Sequence, residues 1–221
     1  MIELSHVYKS YPGPVHALRN VDLSIRQGEF VFLTGPSGAG KTTLFRLLAG
    51  FDQVSSGQIQ VVGFQLSSLK SSQTPLFRRK LGVVFQDFKL MKEKSALENV
   101  ALPLIIQGEN SKKAHDKALE ILKKVGLEDR AQFYPESLSG GEQQRIAIAR
   151  AIVHEPDLIL ADEPTGNLDS ERSEEIMNLL ENCAQSGITV LVTTHDLEMV
   201  RRRKQRIISI RHGEIVKDGR A

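Results

Sequence analysis

Eight consecutive residues, Gly35-Pro36-Ser37-Gly38-Ala39-Gly40-Lys41-Thr42, match the pattern G-x-x-x-x-G-K-[ST]. Glycines let a backbone wrap an anion so that successive N–H groups converge on it, and the N-terminus of a following helix adds positive potential. Lys41 supplies a full charge suited to the β and γ phosphates of a nucleotide. Thr42, with Thr43 beside it, offers a hydroxyl that suits Mg2+. An ordinary strand-to-helix turn needs one or two glycines and no lysine. A second chemical pair, Asp162 and Glu163, closes the apolar run Leu158-Ile159-Leu160-Ala161. Asp162 suits the shell of a Mg2+ ion, and Glu163 suits the general base that polarises a water in line with the γ phosphate. A plain surface loop could also begin with these two carboxylates. Pro164 is expected to hold the Glu163 backbone extended.

These groups need elements to place them. Residues 1–28 alternate short β-like pieces (Ile2 to Tyr8, Val21 to Ile25) around the turn Pro12-Gly13-Pro14, which predicts an antiparallel β layer. Glu29 to Thr34 reads as a buried strand feeding the glycine loop, and Leu44, Leu47 and Leu48 give helical spacing from Lys41 until Gly50 stops it. Gln58 to Val62 and Leu81 to Phe85 read as strands, with a serine-rich, partly looped stretch between them. From about residue 87 to 137 the β signal fades, and Lys112 to Val125 has helical spacing closed by Gly126, so this region is expected to be a helical insertion. Helices Gly141 to His154, Ser170 to Gln185 and Asp196 to Lys204 then alternate with strands Asp157 to Asp162, Ile188 to Thr193 and Arg206 to Ile210. Strands alternating with helices predict an α/β fold with a mostly parallel sheet covered on both faces. Ligands of such sheets gather at the carboxyl ends of the strands, where Asp162 and Glu163 fall.

Leu138-Ser139-Gly140-Gly141-Glu142 opens the helix Gly141 to His154. Ser139 with Glu142 three residues on forms a capping box, which is sufficient reason for the serine but not for two glycines that weaken a helix. Gly140 and Gly141 suggest a close approach to the backbone, and a second helix N-terminus facing phosphate fits them.

The run LSGGEQQRIAIARAI followed by LILADEPTGNLD resembles the nucleotide-binding domain of ATP-binding cassette (ABC) proteins, over essentially residues 1–221 as one domain. The resemblance implies a P-loop NTPase core with an antiparallel β subdomain and an inserted helical subdomain, ATP and Mg2+ as cofactors, and ATP hydrolysis. It implies that Tyr11 stacks on adenine, that Gln86 senses Mg2+ and the γ phosphate, that Asp169 works across a dimer interface, and that His195 contacts the γ phosphate. Each has a plainer alternative: Tyr11 a half-buried strand residue, Gln86 a loop opener, Asp169 a helix N-cap, His195 a satisfied histidine at a strand end. The family also implies a head-to-tail homodimer in which Ser139 to Gly141 of one copy closes over ATP held by Lys41 of the other. FQDFKLM, ENVALPLIIQG, ADEPTGNLD and VTTHDLEMV are most similar to the subfamily of cell-division (FtsE), lipoprotein-release and macrolide-export ATPases. That likeness implies an FtsX-like integral membrane partner, a place at the cytoplasmic face of the bacterial inner membrane, and a role in cell division and cell-wall hydrolase control. Lipoprotein release or macrolide export is the alternative. Phe88, Leu90 and Met91 would either meet that partner or pack the insertion internally.

Composition narrows the remaining classes. The chain has 221 residues, 40% hydrophobic and 25% charged, which suits a globular domain with a proper core. A net charge of +2 is too small to favour nucleic acid as a partner. No apolar run reaches the roughly 20 residues that cross a bilayer. The single cysteine, Cys183, cannot form an internal disulfide, fits a reducing cytoplasm and reads as core filler. Arg201-Arg202-Arg203-Lys204 with Arg206 is a marked charge run that suits either a solvated helix end or an acidic surface.

Overall fold

A computed structural model describes residues 1–13 and 16–220, so Pro14 of the expected turn lies outside the described residues. The elements run β1 (Ile2–Ser10), β2 (His16–Ile25), β3 (Phe30–Thr34), α1 (Lys41–Leu48), β4 (Ser56–Val61), β5 (Phe64–Gln65), α2 (Thr74–Arg78) and β6 (Leu81–Val84). They continue α3 (Ala96–Ile106), α4 (Ser111–Lys124), α5 (Gly140–Ile152), β7 (Leu158–Asp162), α6 (Ser170–Gln185), β8 (Thr189–Thr194), α7 (Leu197–Arg203), β9 (Arg206–Arg211) and β10 (Glu214–Arg220).

Two sheets form. The first is antiparallel with order β2-β1-β4-β5. The second has order β10-β9-β3-β8-β7-β6, parallel throughout except for β10 at its edge. All residues of β3 and β8 are buried, which follows from layers packed on both faces of a parallel sheet and accounts for their unbroken apolar character. On one face, Leu33, Leu160, Leu191 and Ile208 meet α1 and the antiparallel sheet. On the other, Phe32, Ile159, Val190 and Ile207 meet α6 and α7. The α/β class and the mixed architecture are therefore as the sequence indicates.

Helix α5 is apolar on two sides. Ile148 and Ala151 join the sheet core, while Ile146, Ala149 and Val153 join a third core with Val100 and Leu104 of α3 and Ala118 and Leu122 of α4. It is thus the wedge between the helical region and the sheet. Helix α3 was hidden in the sequence because Leu102 to Ile106 reads as a plain apolar run. Its start is set by a complete capping box, Ser95 with Glu98, and by the buried Asn99.

The parallel pairing brings the carboxyl ends of β3, β6, β7 and β8 to one edge. There the chain continues into residues 35–40, Gln86, Glu163 and His195 respectively.

Candidate active site

A cavity of about 590 Å³ opens at that edge, lined by Tyr11, Ser37 to Thr43, Gln86, Glu163 and His195, together with His16 and Ala17 of β2. Four separate strand ends and the antiparallel sheet thus converge on one space. The sequence carries no motif that marks His16 and Ala17 as lining residues. They reach the cavity through long-range packing, since Gly40 and Gly213 both lie against the Ala17 carbonyl, and nothing local in the sequence signals that.

The loop before α1 is tightly held. At Gly40, φ is 112°, and a Cβ there would sit 2.7 Å from the Ala17 carbonyl oxygen. Only glycine satisfies both constraints. Among the described residues, the N–H groups of Lys41, Thr42 and Thr43 at the start of α1 meet no acceptor. These are the orphan donors that make a helix start an anion site. Lys41 is almost buried, and its Nζ donates to the carbonyls of Gly35 (2.7 Å) and Pro36 (3.2 Å). The loop therefore holds its own cation over the open donors.

Asp162 ends β7, one residue before Glu163 of the cavity lining, and does not itself line the cavity. Burial raises its pKa, the neighbouring Glu163 charge raises it further, and the Thr193 hydroxyl donating at 2.5 Å and the Lys41 charge act the other way. A carboxylate placed this way would gain from a cation. Among the described residues no cluster of three His, Cys, Asp or Glu side chains could hold a metal ion. One carboxylate and the Thr42 hydroxyl are nonetheless the kind of sparse oxygen set that Mg2+ completes with phosphate and water, so the residues present fit Mg2+ bound together with a nucleotide.

Glu163 carries a correction. Its φ is 45°, in the left-handed region rather than extended as Pro164 suggested. Its N–H donates to both the carbonyl (3.1 Å) and hydroxyl (3.0 Å) of Thr193, and Gly166 N–H closes a turn on its own carbonyl at 3.1 Å. Three such bonds outweigh a local penalty of about 1–2 kcal/mol. The carboxylate then meets His195 Nδ1 at 2.6 Å. Glu163 is largely covered, and the His195 ring is open to the cavity.

Tyr11 is fixed by its hydroxyl, which donates to Asp52 at 2.9 Å, and by Lys9, whose Nζ lies 4.8 Å from the ring centre and also bonds Asp52 at 2.6 Å. These contacts hold Asp52 below the usual carboxylate range despite its partial burial.

Of the expected residues, Gly35, Pro36 and Asp162 adjoin lining residues in the chain without lining the cavity themselves, and four more are not brought to it. Ser139, Gly140 and Gly141 lie at the start of α5, and Asp169 lies at the start of α6. Ser139 and Glu142 form the full capping box. The close approach at Gly141 comes from within the chain, because a Cβ there would meet Arg172 Cδ at 2.7 Å, while Gly140 has only ordinary contacts. Asp169 is the N-cap of α6, accepting from Arg172 N–H at 3.0 Å, and this bond holds its carboxyl low. The basic run is split. Arg202 and Arg203 pair with Glu174, and Arg203 also bonds Glu181 and Asn178 on α6; among the described residues Arg201 and Lys204 form no ion pair. Leu90 packs on the helical core while Met91 is exposed, so the segment after Gln86 divides between the two readings.

The family model described as ABC transporter matches residues 18–166. The chain belongs to the ABC transporter family. It is an ATPase of the ABC type. Cell division ATP-binding proteins FtsE are similar over nearly their whole length: 46% identical in Streptococcus pneumoniae D39 (99% of this chain, 95% of that one). The Bacillus subtilis protein is 46% identical (99% and 96%), and that of Escherichia coli K12 is 44% identical (97% and 97%). Among solved structures, the dimeric post-hydrolysis state of the ATP-binding cassette MJ0796 bound to ADP and Pi has a TM-score of 0.90 at 41% identity, covering 100% of this chain and 98% of that one. The cbiO1 cassette of Clostridium perfringens matches with a TM-score of 0.90 at 28% identity, covering 99% and 87%.

Proposed function

We propose that this chain is the Mg2+-dependent ATP-hydrolysing subunit of a membrane complex, that it dimerises on ATP, and that it drives an FtsX-type partner in bacterial cell division and cell-wall hydrolase control. The observation that carries the catalytic part is the single cavity that gathers the Lys41 loop, Gln86, Glu163 and His195. On this reading Lys41 leaves the carbonyls of Gly35 and Pro36 for the β and γ phosphates, which also take the free N–H groups of residues 41–43. Tyr11, already pinned by Asp52 and Lys9, offers a ring face to adenine. Thr42, Gln86 and Asp162 would hold Mg2+, which when bound neutralises charge on the phosphate oxygens. Glu163 takes a proton from the attacking water, and His195, donating from Nδ1, keeps that carboxylate aimed and reaches toward the γ phosphate.

The second copy follows from what the cavity lacks. Ser139, Gly140 and Asp169 lie outside it, exposed or half-buried, where another molecule can bring them to it, while Gly141 is buried beside Arg172; the related MJ0796 cassette has been solved as a dimer. Closing on the γ phosphate makes association depend on ATP, and hydrolysis removes the charge that holds the copies together. Among the described residues no helix is long and apolar enough to cross a membrane, so the chain would reach the inner membrane's cytoplasmic face through its partner. The FtsE relatives support the division role. Glu163→Gln should lower phosphate release by about 10²–10⁴-fold while leaving ATP binding intact. Unchanged release would remove Glu163 from the reaction. The membrane protein that co-purifies from the native host separates division from lipoprotein or drug export.

A further inference from the structure

Residues 86–95, the segment joining the cavity to the helical region, are fastened by side chains rather than by a sheet ladder. Asn167 Nδ2 donates to the Gln86 carbonyl at 3.1 Å. Asn99 of α3, fully buried, donates to the carbonyls of Met91, Lys94 and Ser95 and accepts from Met91 N–H. Between these two anchors stands Arg150 of α5. Its Nη1 donates to the Lys89 carbonyl at 2.7 Å and its Nη2 to the Phe88 carbonyl at 2.8 Å.

Three features set this arginine apart. Among the described residues it forms no ion pair, although it is half-buried and burial lowers its basicity. The two carbonyls it grips belong to consecutive non-glycine residues in the left-handed region, with φ of 58° at Phe88 and 47° at Lys89. Two such residues in a row persist only where the surroundings over-determine them, and a planar fork bonding both carbonyls does so. Finally, α5 is the helix whose N-terminus carries Ser139 to Gly141, so one stiff element meets the segment after Gln86 with its last turn, at Arg150, and carries Ser139 to Gly141 at its first.

We infer that Arg150 is a positioning residue for ATP hydrolysis: its guanidinium ties the backbone at Phe88 and Lys89 to α5, so that Gln86 and the Ser139–Gly141 end of that helix take up their places together. The inference rests on the reading that Gln86 works at the γ phosphate. A burial-driven packing role alone would need neither the fork nor the paired carbonyls.

The test uses the full chain with Arg150→Lys, which keeps the cation but cannot bond both carbonyls in the same way, and with Gln86→Ala singly and in combination. Arg150→Lys should lower kcat roughly ten- to a hundredfold, the range expected when a reacting group is misplaced by about 1 Å. KM for ATP and affinity for a fluorescent ADP analogue should stay within about twofold, because the Lys41 loop is untouched. Adding Gln86→Ala should cost little more than the larger single loss, since both changes remove the same function. Hydrogen exchange at residues 87–91 should rise in Arg150→Lys whatever Gln86 does. A normal kcat in Arg150→Lys, losses that multiply in the double variant, or a fall in KM-determined affinity and melting temperature that tracks kcat would each overturn the inference. A Gln86→Ala variant with normal kcat would instead overturn the reading of Gln86 on which it rests, while faster exchange at 87–91 would still report the clamp.

Discussion

Two glycines of one loop should respond very differently to the same methyl group. At Gly40 a Cβ would stand 2.7 Å from the Ala17 carbonyl oxygen, 3.0 Å from Leu18 Cδ2 and 3.2 Å from Ile210 Cδ1, with φ at 112°. The nearest obstacle is backbone within β2, and Leu18 beside it is fully buried, so neither yields cheaply. Backbone strain of about 1–2 kcal/mol joins an overpacking cost of about 1–3 kcal/mol, giving roughly 3 kcal/mol for Gly40→Ala. At Gly38, φ is 75° and nothing lies within 4 Å, so Gly38→Ala meets backbone strain alone, about 1 kcal/mol. For a chain of this size about 2–4 °C of melting temperature is lost per kcal/mol, so the expected losses are about 6–12 °C and about 2–4 °C. Thermal unfolding of the nucleotide-free chain by circular dichroism measures both. Melting of the two variants within about 2 °C of each other would refute the claim that the loop is braced against β2 and β9.

Lys41→Ala removes a nearly buried cation and should weaken binding of a fluorescent ATP analogue roughly ten- to a hundredfold, the worth of charge-assisted contacts to phosphate; undiminished binding would contradict the phosphate site. His154 donates from Nε2 to the Leu81 carbonyl at 3.0 Å, and burial holds its pKa below the usual value. The unfolded chain therefore takes up this proton first, so the stabilising contribution is present above about pH 6.5 and is lost as pH falls through that value toward the lower folded one. His154→Gln should flatten the loss of melting temperature between pH 7 and pH 5, and an unchanged slope would place the acid sensitivity elsewhere. Burial pushes the Cys183 thiol up to about 11. At pH 8 only roughly one molecule in a thousand is thiolate, so native labelling by a disulfide reagent should be far slower than labelling in denaturant.

What was legible in the sequence was local. The helix after the glycine loop, Lys41–Leu48, and α6, Ser170–Gln185, have the bounds that their spacing and flanking residues indicate, because capping and periodicity act within a few residues. The placement of Asp162 and Glu163 at a strand end follows from the same logic. What was not legible depends on partners distant in the chain. The Glu163 backbone is set by Thr193 thirty residues on. His16 and Ala17 line the cavity because β2 packs on the loop, and β10 exists because Glu214–Arg220 finds β9 to pair with. Gly141 looked like a ligand approach and is also room for Arg172. Nothing near Arg150 in its apolar-periodic helix marks it, because its two carbonyl partners sit 61 and 62 residues upstream.

The most direct test of the account is the association state of Glu163→Gln, which should bind ATP and hold it. In sedimentation velocity with Mg2+ and saturating ATP, the variant should run as a homodimer, and with ADP as a monomer. A variant that stays monomeric with ATP bound, even beside its membrane partner, would contradict a nucleotide site completed by a second copy.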